Sequence, residues 1–427
     1  MENNQKSSKM NKIINAILMF VIVLLSFAGG FFIGGQCGGE NGSALNQVIS
    51  IINNTSYIID PVTGQPRKIT EKDYIDAITD GLLDEYSKYY TPEEYEEYAN
   101  ESEGNYGGIG FVTYSNTTKI FKILGNSPAE KAGIKAGETI IGAKTAQGQR
   151  VDFNSAEQLD DFFKQNSTKQ EFVLYFDDGH EVKVTGSDFK VSYVTYYDNE
   201  NKLCYRDGEN GKLQPFIEAS TQMDALPDDT GYIKLDLFEG DAATQFATAL
   251  KQMLDSNRSK LILDLRDNGG GDVNVLTDIA SYLIYNNGAK NSLIIHAERK
   301  NREDSYSTRA NNFDQRLEKI VVLANRNTAS ASECLIGAML TYGDRFNSDR
   351  SDLVIEKNAS GVAKTFGKGI MQTTYVLFNG GAYKLTTGRV LWPDKITCIH
   401  GTGIIVDGQN AVNSADAINR AIQIVNT

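Results

Sequence analysis

Leu261-Ile262-Leu263-Asp264-Leu265-Arg266-Asp267-Asn268-Gly269-Gly270-Gly271-Asp272-Val273 reads as an apolar strand that ends in three glycines before a helix. Such a turn can aim backbone N–H groups at a developing oxyanion, or cradle a phosphate. A phosphate loop needs Gly-Lys-Ser/Thr after the glycines, and Asp272-Val273-Asn274 follows instead. The oxyanion reading stands beside a plainer one, a tight strand-to-helix turn without chemistry. Outward from this stretch the chain alternates. Strands are expected at Tyr232–Leu237, Leu293–His296 and Ile320–Ala324, and helices at Ala242–Leu254, Val273–Tyr285 and Ala331–Thr341. That order predicts a layered α/β sheet with crossover helices.

Upstream the texture changes. From Leu45 to Tyr98 apolar residues recur at helical spacing, with helix starts at Thr70/Asp73 and at Thr91-Pro92-Glu93-Glu94. Gly104 to about Phe189 is rich in glycine turns and short strands, with one helix from Ala156 to Phe163. It opens on Gly107-Gly108-Ile109-Gly110-Phe111-Val112 and continues through Ser127-Pro128-Ala129-Glu130-Lys131-Ala132-Gly133 to Ile140-Ile141. Glycines before a strand let backbone donors converge on a peptide's terminal carboxylate while the peptide adds as a strand. The region resembles a PDZ domain of the bacterial protease type, with Gly108, Ile109, Gly110 and Phe111 as the peptide-binding residues. Val191 to Asp228 shows aromatic alternation and Asp207-Gly208 and Asn210-Gly211 turns, which predict extra strands or a hairpin.

The chemistry concentrates downstream. Asn327-Thr328-Ala329-Ser330-Ala331-Ser332-Glu333 precedes the apolar run Cys334–Leu340, which puts Ser330 at a helix start, where free N–H groups and the dipole favour negative charge. Ser-x-x-Glu there is also the signature of a capping box, the competing reading. Thr365-Phe366-Gly367-Lys368-Gly369-Ile370-Met371-Gln372 follows. A lysine can remove a serine proton only when neutral, which requires an apolar pocket that lowers its pKa; Phe366, Ile370 and Met371 are its expected walls. Of the histidines, His180, His296 and His400, only His400 competes as a base for a Ser-His arrangement.

Asp264-Leu265-Arg266-Asp267-Asn268-Gly269-Gly270-Gly271, Thr328-Ala329-Ser330-Ala331-Ser332-Glu333, Phe366-Gly367-Lys368 with Gln372, and the region preceding them together resemble the carboxyl-terminal processing peptidases, serine peptidases with a Ser-Lys dyad. The likeness extends from Leu83-Asp84-Glu85-Tyr86-Ser87 to Gly401-Thr402-Gly403-Ile404. It implies Ser330 as nucleophile, Lys368 as general base, Gln372 to orient it, and an oxyanion hole from the N–H groups of Ala331 and one of Gly270 or Gly271. It further implies a crotonase/ClpP-like α/β peptidase core, gating by the PDZ domain and cleavage of proteins near their C-termini. Two departures stand out: a long Ser330–Lys368 spacing, with Asn347 to Ala363 as the expected insertion, and Gly269 where proline is common.

Ile13 to Ile33 carries no charge and is long enough for a bilayer core, at about 1.5 Å rise per residue. Lys6, Lys9 and Lys12 precede it, so an uncleaved anchor is expected, with the N-terminus cytoplasmic and the remainder outside. The expected multidomain α/β and α+β layout is a cytoplasmic tail at 1–12, an anchor at 13–35, a helical region at 44–102, the PDZ domain at 103–189 and the peptidase core at 190–427. A net charge of −13 argues against nucleic acid. Four scattered cysteines make neither a disulfide scaffold nor a zinc site, although a Cys204–Cys398 bridge is open. No metal-binding motif appears, so neither metal nor other cofactor is expected. Expected partners are protein substrates with apolar C-termini, the membrane through a single anchor, and, as an option, a second copy in a homodimer. Two rival functions are a membrane-tethered PDZ adaptor with a dead peptidase domain and a crotonase-like acyl-thioester enzyme.

Overall fold

The computed structural model describes residues 40–56, 58–59, 65–200, 203–207, 213–218 and 221–427. The chain divides into two compact units, one ending at Leu82 and the other spanning Leu83–Thr427. The first contributes the helices Glu40–Thr55 and Glu71–Leu82. The second of these starts where sequence placed it: Thr70 N–H donates to Asp73 Oδ2 at 2.7 Å and Asp73 N–H to Thr70 Oγ1 at 3.3 Å, a reciprocal cap. The expected tail and anchor lie outside the described residues, and among those described no helix is long and apolar enough to cross a membrane.

The second unit is built on an eight-stranded sheet. Its parallel part runs Thr230–Leu235, Lys260–Asp264, Lys319–Ala324, Leu353–Glu356 and Ala411–Val412. Period-two alternation divides each central strand between two cores. Leu261, Leu263, Ile320 and Val322 face the helices Ala242–Asp255, Val273–Leu283 and Ala331–Tyr342, whereas Ile262, Val321, Leu323 and Val354 face Ala417–Val425. Burial on both faces is why these strands are continuous apolar runs rather than alternating ones. The aromatic stretch after Val191 becomes the antiparallel strands Val194–Asp198, Leu203–Asp207 and Leu213–Glu218 at one edge. The segment expected as an insertion, Asn347 to Ala363, supplies the strand Leu353–Glu356, whose Leu353, Val354 and Ile355 are fully buried.

A five-stranded antiparallel sheet packs beside this layer: Lys88–Tyr90, Ala382–Leu391, Leu293–Arg299 and Glu303–Ser307, with Ile370–Val376 paired to Ala382–Leu391. The helix Pro92–Ser102, read from sequence with the N-terminal helices, belongs to this unit and starts at a complete Thr91/Glu94 capping box. Residues 104–190 fold around their own small core, in which Ile120, Ile140, Phe172 and Leu174 are fully buried. Its strands include Ile140–Thr145, Glu171–Phe176 and Glu181–Thr185, and its helix is Ala156–Gln165. A buried ion-pair group ties this region to the sheet. Lys122 Nζ lies 3.6 Å from Asp236 Oδ1 and donates to the Asp236 carbonyl at 3.1 Å, while Arg206 Nε lies 2.8 Å from Glu130.

Candidate active site

Ser330 ends the turn after Lys319–Ala324 and begins the helix Ala331–Tyr342. Its backbone sits at φ +55°, ψ −115°, which strains any residue with a Cβ and presses the turn against the glycine loop. A Cβ on Gly270 would lie 2.7 Å from Ser330 Cβ and 2.9 Å from Ala331 N, so only glycine lets the two turns meet. Buried Asn268 locks that contact. Its Nδ2 donates to Leu235 O and its Oδ1 accepts Gly270 N–H, while its carbonyl accepts Ala329 N–H and Ser332 Oγ–H. Phe238 braces the other side, pairing with Gly271 through Phe238 N–H to Gly270 O and Asp272 N–H to Phe238 O. Gly270 N–H is therefore spent on Asn268. Among the described residues, the N–H groups of Gly271 and Ala331 have no protein acceptor.

Glu333 does more than cap. Fully buried, its carboxylate accepts Ser330 N–H at 3.0 Å, Lys368 N–H at 2.9 Å, Gly367 N–H at 2.8 Å and Thr365 Oγ–H at 2.5 Å. Burial raises its pKa and the four bonds oppose that rise. One side chain thus clamps the turn that carries Ser330 to the loop that carries Lys368, across 35 residues of sequence at its farthest.

Lys368 Nζ donates to Gln372 Oε1 at 2.9 Å, and Gln372 Nε2 donates to the Tyr86 carbonyl at 2.6 Å, which fixes the amide with its oxygen toward the lysine. The ammonium sits 5.1 Å from the Tyr86 ring centroid. No carboxylate among the described residues lies within ion-pair distance of it. Burial lowers the Lys368 pKa, the Lys384 cation adds to the fall, and Asp84 opposes it. The expected wall is partly different: Ile370 and Met371 line the cleft with Lys368, but Phe366 is 49% exposed and shields nothing. Tyr86 takes that place. No hydrogen bond joins Ser330 Oγ to Lys368 Nζ in this arrangement.

Ser330, Ala331, Gly270, Gly271, Lys368 and Gln372 all line one cleft of about 620 Å³. Leu276, Ile295, Cys334 and Val390 make it apolar near the helix start, and Glu239, Lys384 and Tyr98 line it as well. Another hollow of about 640 Å³, lined by Glu93, Glu97, Tyr106 and Asp188 among others, has no serine, threonine or cysteine in its wall. The three histidines sit in separate settings. His400 is exposed, its ring edge-on to Tyr86 at 6.4 Å; His296 is buried against Ser305; His180 stacks on Phe176. None bonds to Ser330. Cys398, considered for a bridge to Cys204, is a free thiol, as is buried Cys334.

Gly108, Ile109, Gly110 and Phe111 lie apart from the cleft, in a turn held by Ala129 N–H to Ile109 O and Leu124 N–H to Gly110 O. Phe111 meets Phe163 of the helix Ala156–Gln165 edge-on at 6.0 Å. Sequence reasoning missed the roles of Tyr86, Asn268, Glu239 and Lys384. Tyr86, Glu239 and Lys384 reach the site from distant segments, and Asn268, inside the glycine loop, acts by folding its side chain back on that loop.

Residues 229–409 match the model of peptidase family S41. The chain is 27% identical over 350 residues to the chloroplastic carboxyl-terminal-processing peptidase 3 of Arabidopsis thaliana, covering 81% of this chain and 61% of that protein. It is 26% identical over 384 residues to a probable CtpA-like serine protease of Staphylococcus aureus, covering 85% and 67%. The chain thus spans about three fifths of the Arabidopsis relative's length. Among solved structures, a photosystem II D1 C-terminal processing protease aligns over 90% of this chain and 96% of its own at 20% identity and a TM-score of 0.49.

Proposed function

We propose, on the premise that residues 229–409 are a peptidase family S41 domain, that the protein is a serine endopeptidase that cleaves polypeptides near their C-termini through Ser330 and Lys368. The observation that carries this reading is the Glu333 clamp, which holds a strained serine and a half-buried lysine on one cleft with unspent N–H groups beside them. Ser330 Oγ attacks the scissile carbonyl carbon as Lys368 Nζ takes its proton. The new oxyanion is received by the N–H groups of Ala331 and Gly271. The C–N bond then breaks, Lys368 returns the proton to the leaving amine, and water, deprotonated by the same lysine, releases the acyl group from Ser330. Gln372 holds the amine through a neutral oxygen, which does not favour its charged form as a carboxylate would. The Ser330–Lys368 bond closes when substrate enters, as catalytic hydrogen bonds tighten in the Michaelis complex.

Residues 103–189 are read as a PDZ domain whose Gly108–Phe111 turn captures the substrate's terminal carboxylate, and residues 13–35 as an anchor that holds the catalytic unit outside the membrane. The central test incubates an unfolded protein with an apolar C-terminus with wild type, Ser330→Ala and Lys368→Ala, and follows products by mass spectrometry. Cleavage by wild type and by neither variant supports the dyad; cleavage by Lys368→Ala and loss in His400→Ala overturns it. Amidating the substrate's C-terminus weakens cleavage if the turn captures the carboxylate, and leaves it unchanged if it does not. Protease treatment of intact, wall-stripped cells removes the catalytic unit if the anchor is oriented as read.

A further inference from the structure

We propose that Glu239 is a specificity-determining residue that receives a basic side chain, lysine or arginine, of the substrate next to the scissile bond. This rests on the peptidase reading and goes beyond it. Glu239 follows Phe238, the residue that braces the glycine loop, and its side chain stands against Gly271: a Cβ there would come within 3.1 Å of Glu239 Cγ. It lines the cleft that holds Ser330 and Lys368. A half-buried carboxylate beside an oxyanion donor needs a partner, because a buried charge is costly unless it is paired.

Glu239 has none. Among the described residues its carboxylate makes no hydrogen bond and no ion pair. Asp272, also on the cleft, is spent capping the helix Val273–Leu283 through Asn274 N–H and Val275 N–H. Lys384 faces Glu239 from the sheet wall, but its ammonium rests 5.1 Å from the Tyr98 ring centroid and forms no salt bridge. The charged residues on the cleft are Glu103, Glu239, Asp272, Lys368 and Lys384. Once Lys368 is neutral, as a base must be, carboxylates outnumber cations, and the cleft matches a cationic segment. Burial pushes Glu239 up to about 7; Glu101 and Asp272 add to the rise, and Lys384 and Lys122 oppose it. An ammonium or guanidinium from the substrate would supply the missing charge.

The test uses internally quenched peptides built on the mapped cleavage site, with lysine, leucine or glutamate substituted at one position at a time on both sides of the scissile bond. The readout is the lysine-to-glutamate ratio of kcat/KM, which does not depend on how much of a variant is folded. In wild type, one position favours lysine by about tenfold, the scale of one partly shielded charge pair. The ratio falls to near one in Glu239→Gln and inverts in Glu239→Lys. In wild type the preference grows as pH rises through 7 and Glu239 ionises; any change of Lys368 with pH cancels in the ratio. Equal ratios in wild type and Glu239→Gln at every position overturn the inference alone. Absence of Ser330-dependent cleavage of all the peptides overturns the peptidase reading, and the inference with it.

Discussion

Replacing Glu333 separates two roles that its position combines. In Glu333→Ala the N–H groups of Ser330, Gly367 and Lys368 lose their acceptor, and Thr365 Oγ–H loses its own. At about 1–3 kcal/mol per buried donor left unsatisfied, the three N–H groups alone imply a loss of about 3–9 kcal/mol. Glu333→Gln is gentler. Its amide nitrogen settles on the Thr365 side, because Thr365 Oγ also accepts Ile404 N–H and has a second lone pair free for the amide. Gly367 N–H and Thr365 Oγ–H, the two donors to the replaced oxygen, then lose their acceptor, at about 1–3 kcal/mol each, while Ser330 N–H and Lys368 N–H keep theirs. Urea unfolding should therefore rank wild type, glutamine and alanine in that order. Turnover should fall at least about a hundredfold in the alanine variant, since a small misplacement of catalytic groups costs that much. An alanine variant within about 1 kcal/mol of wild type and with unimpaired turnover would refute the clamp.

Other outcomes follow from the same geometry. Activity should rise with pH through the lowered Lys368 pKa, because only the neutral amine accepts the serine proton; Lys384→Met, which removes a neighbouring cation, should move that limb to higher pH, and an unmoved limb would rule out Lys384 as a cause. Between that lowered pKa and the ordinary lysine value the unfolded chain holds a proton that the native protein lacks, so this lysine makes stability rise with pH there. Gly270→Ala combines φ +104° with a 2.7 Å approach to Ser330 Cβ, and should cost about 2–5 kcal/mol in thermal unfolding together with most turnover. Asp236→Asn removes the buried carboxylate around which Lys122, Lys234 and Arg206 gather and should destabilise by about 3–5 kcal/mol in denaturant titrations. Asp236 is held down to about 2 against the effect of its own burial, by Lys122 first and then by Lys234 and Arg206, so its contribution is present at neutral pH and lost as pH falls through that value.

The sheet was legible because its central strands are buried on both faces and its helices start at recognisable caps. The expected strand Ile320–Ala324 and helix Ala331–Thr341 differ from Lys319–Ala324 and Ala331–Tyr342 by one residue at one end. Ser330, Ala331, Gly270, Gly271, Lys368 and Gln372, named from motifs, meet on one cleft. What spacing could not tell was which glycine keeps a free N–H, since that depends on the Asn268 side chain turning back on its own loop. Nor could local apolar neighbours identify the cover over Lys368: Phe366 lies beside it in sequence yet points to solvent, and Tyr86 arrives from the far end of the chain. The long Ser330–Lys368 spacing pointed to added residues around Leu353 but could not tell that Leu353–Glu356 pairs beside Lys319–Ala324 in the sheet.

The strand Leu353–Glu356 has a consequence for the order in which the proposed dyad assembles. The chain leaves Ser330, descends the helix Ala331–Tyr342, threads Leu353–Glu356 into the sheet beside Lys319–Ala324, and only then delivers Lys368 to the Glu333 carboxylate. The proposed nucleophile and base are thus joined through a non-local pairing, the kind of contact that forms late because its loop-closure cost comes before its reward. A nascent or half-folded copy carries the serine without its base. If the proposed dyad is right, a copy could attack a polypeptide only once its own sheet has closed.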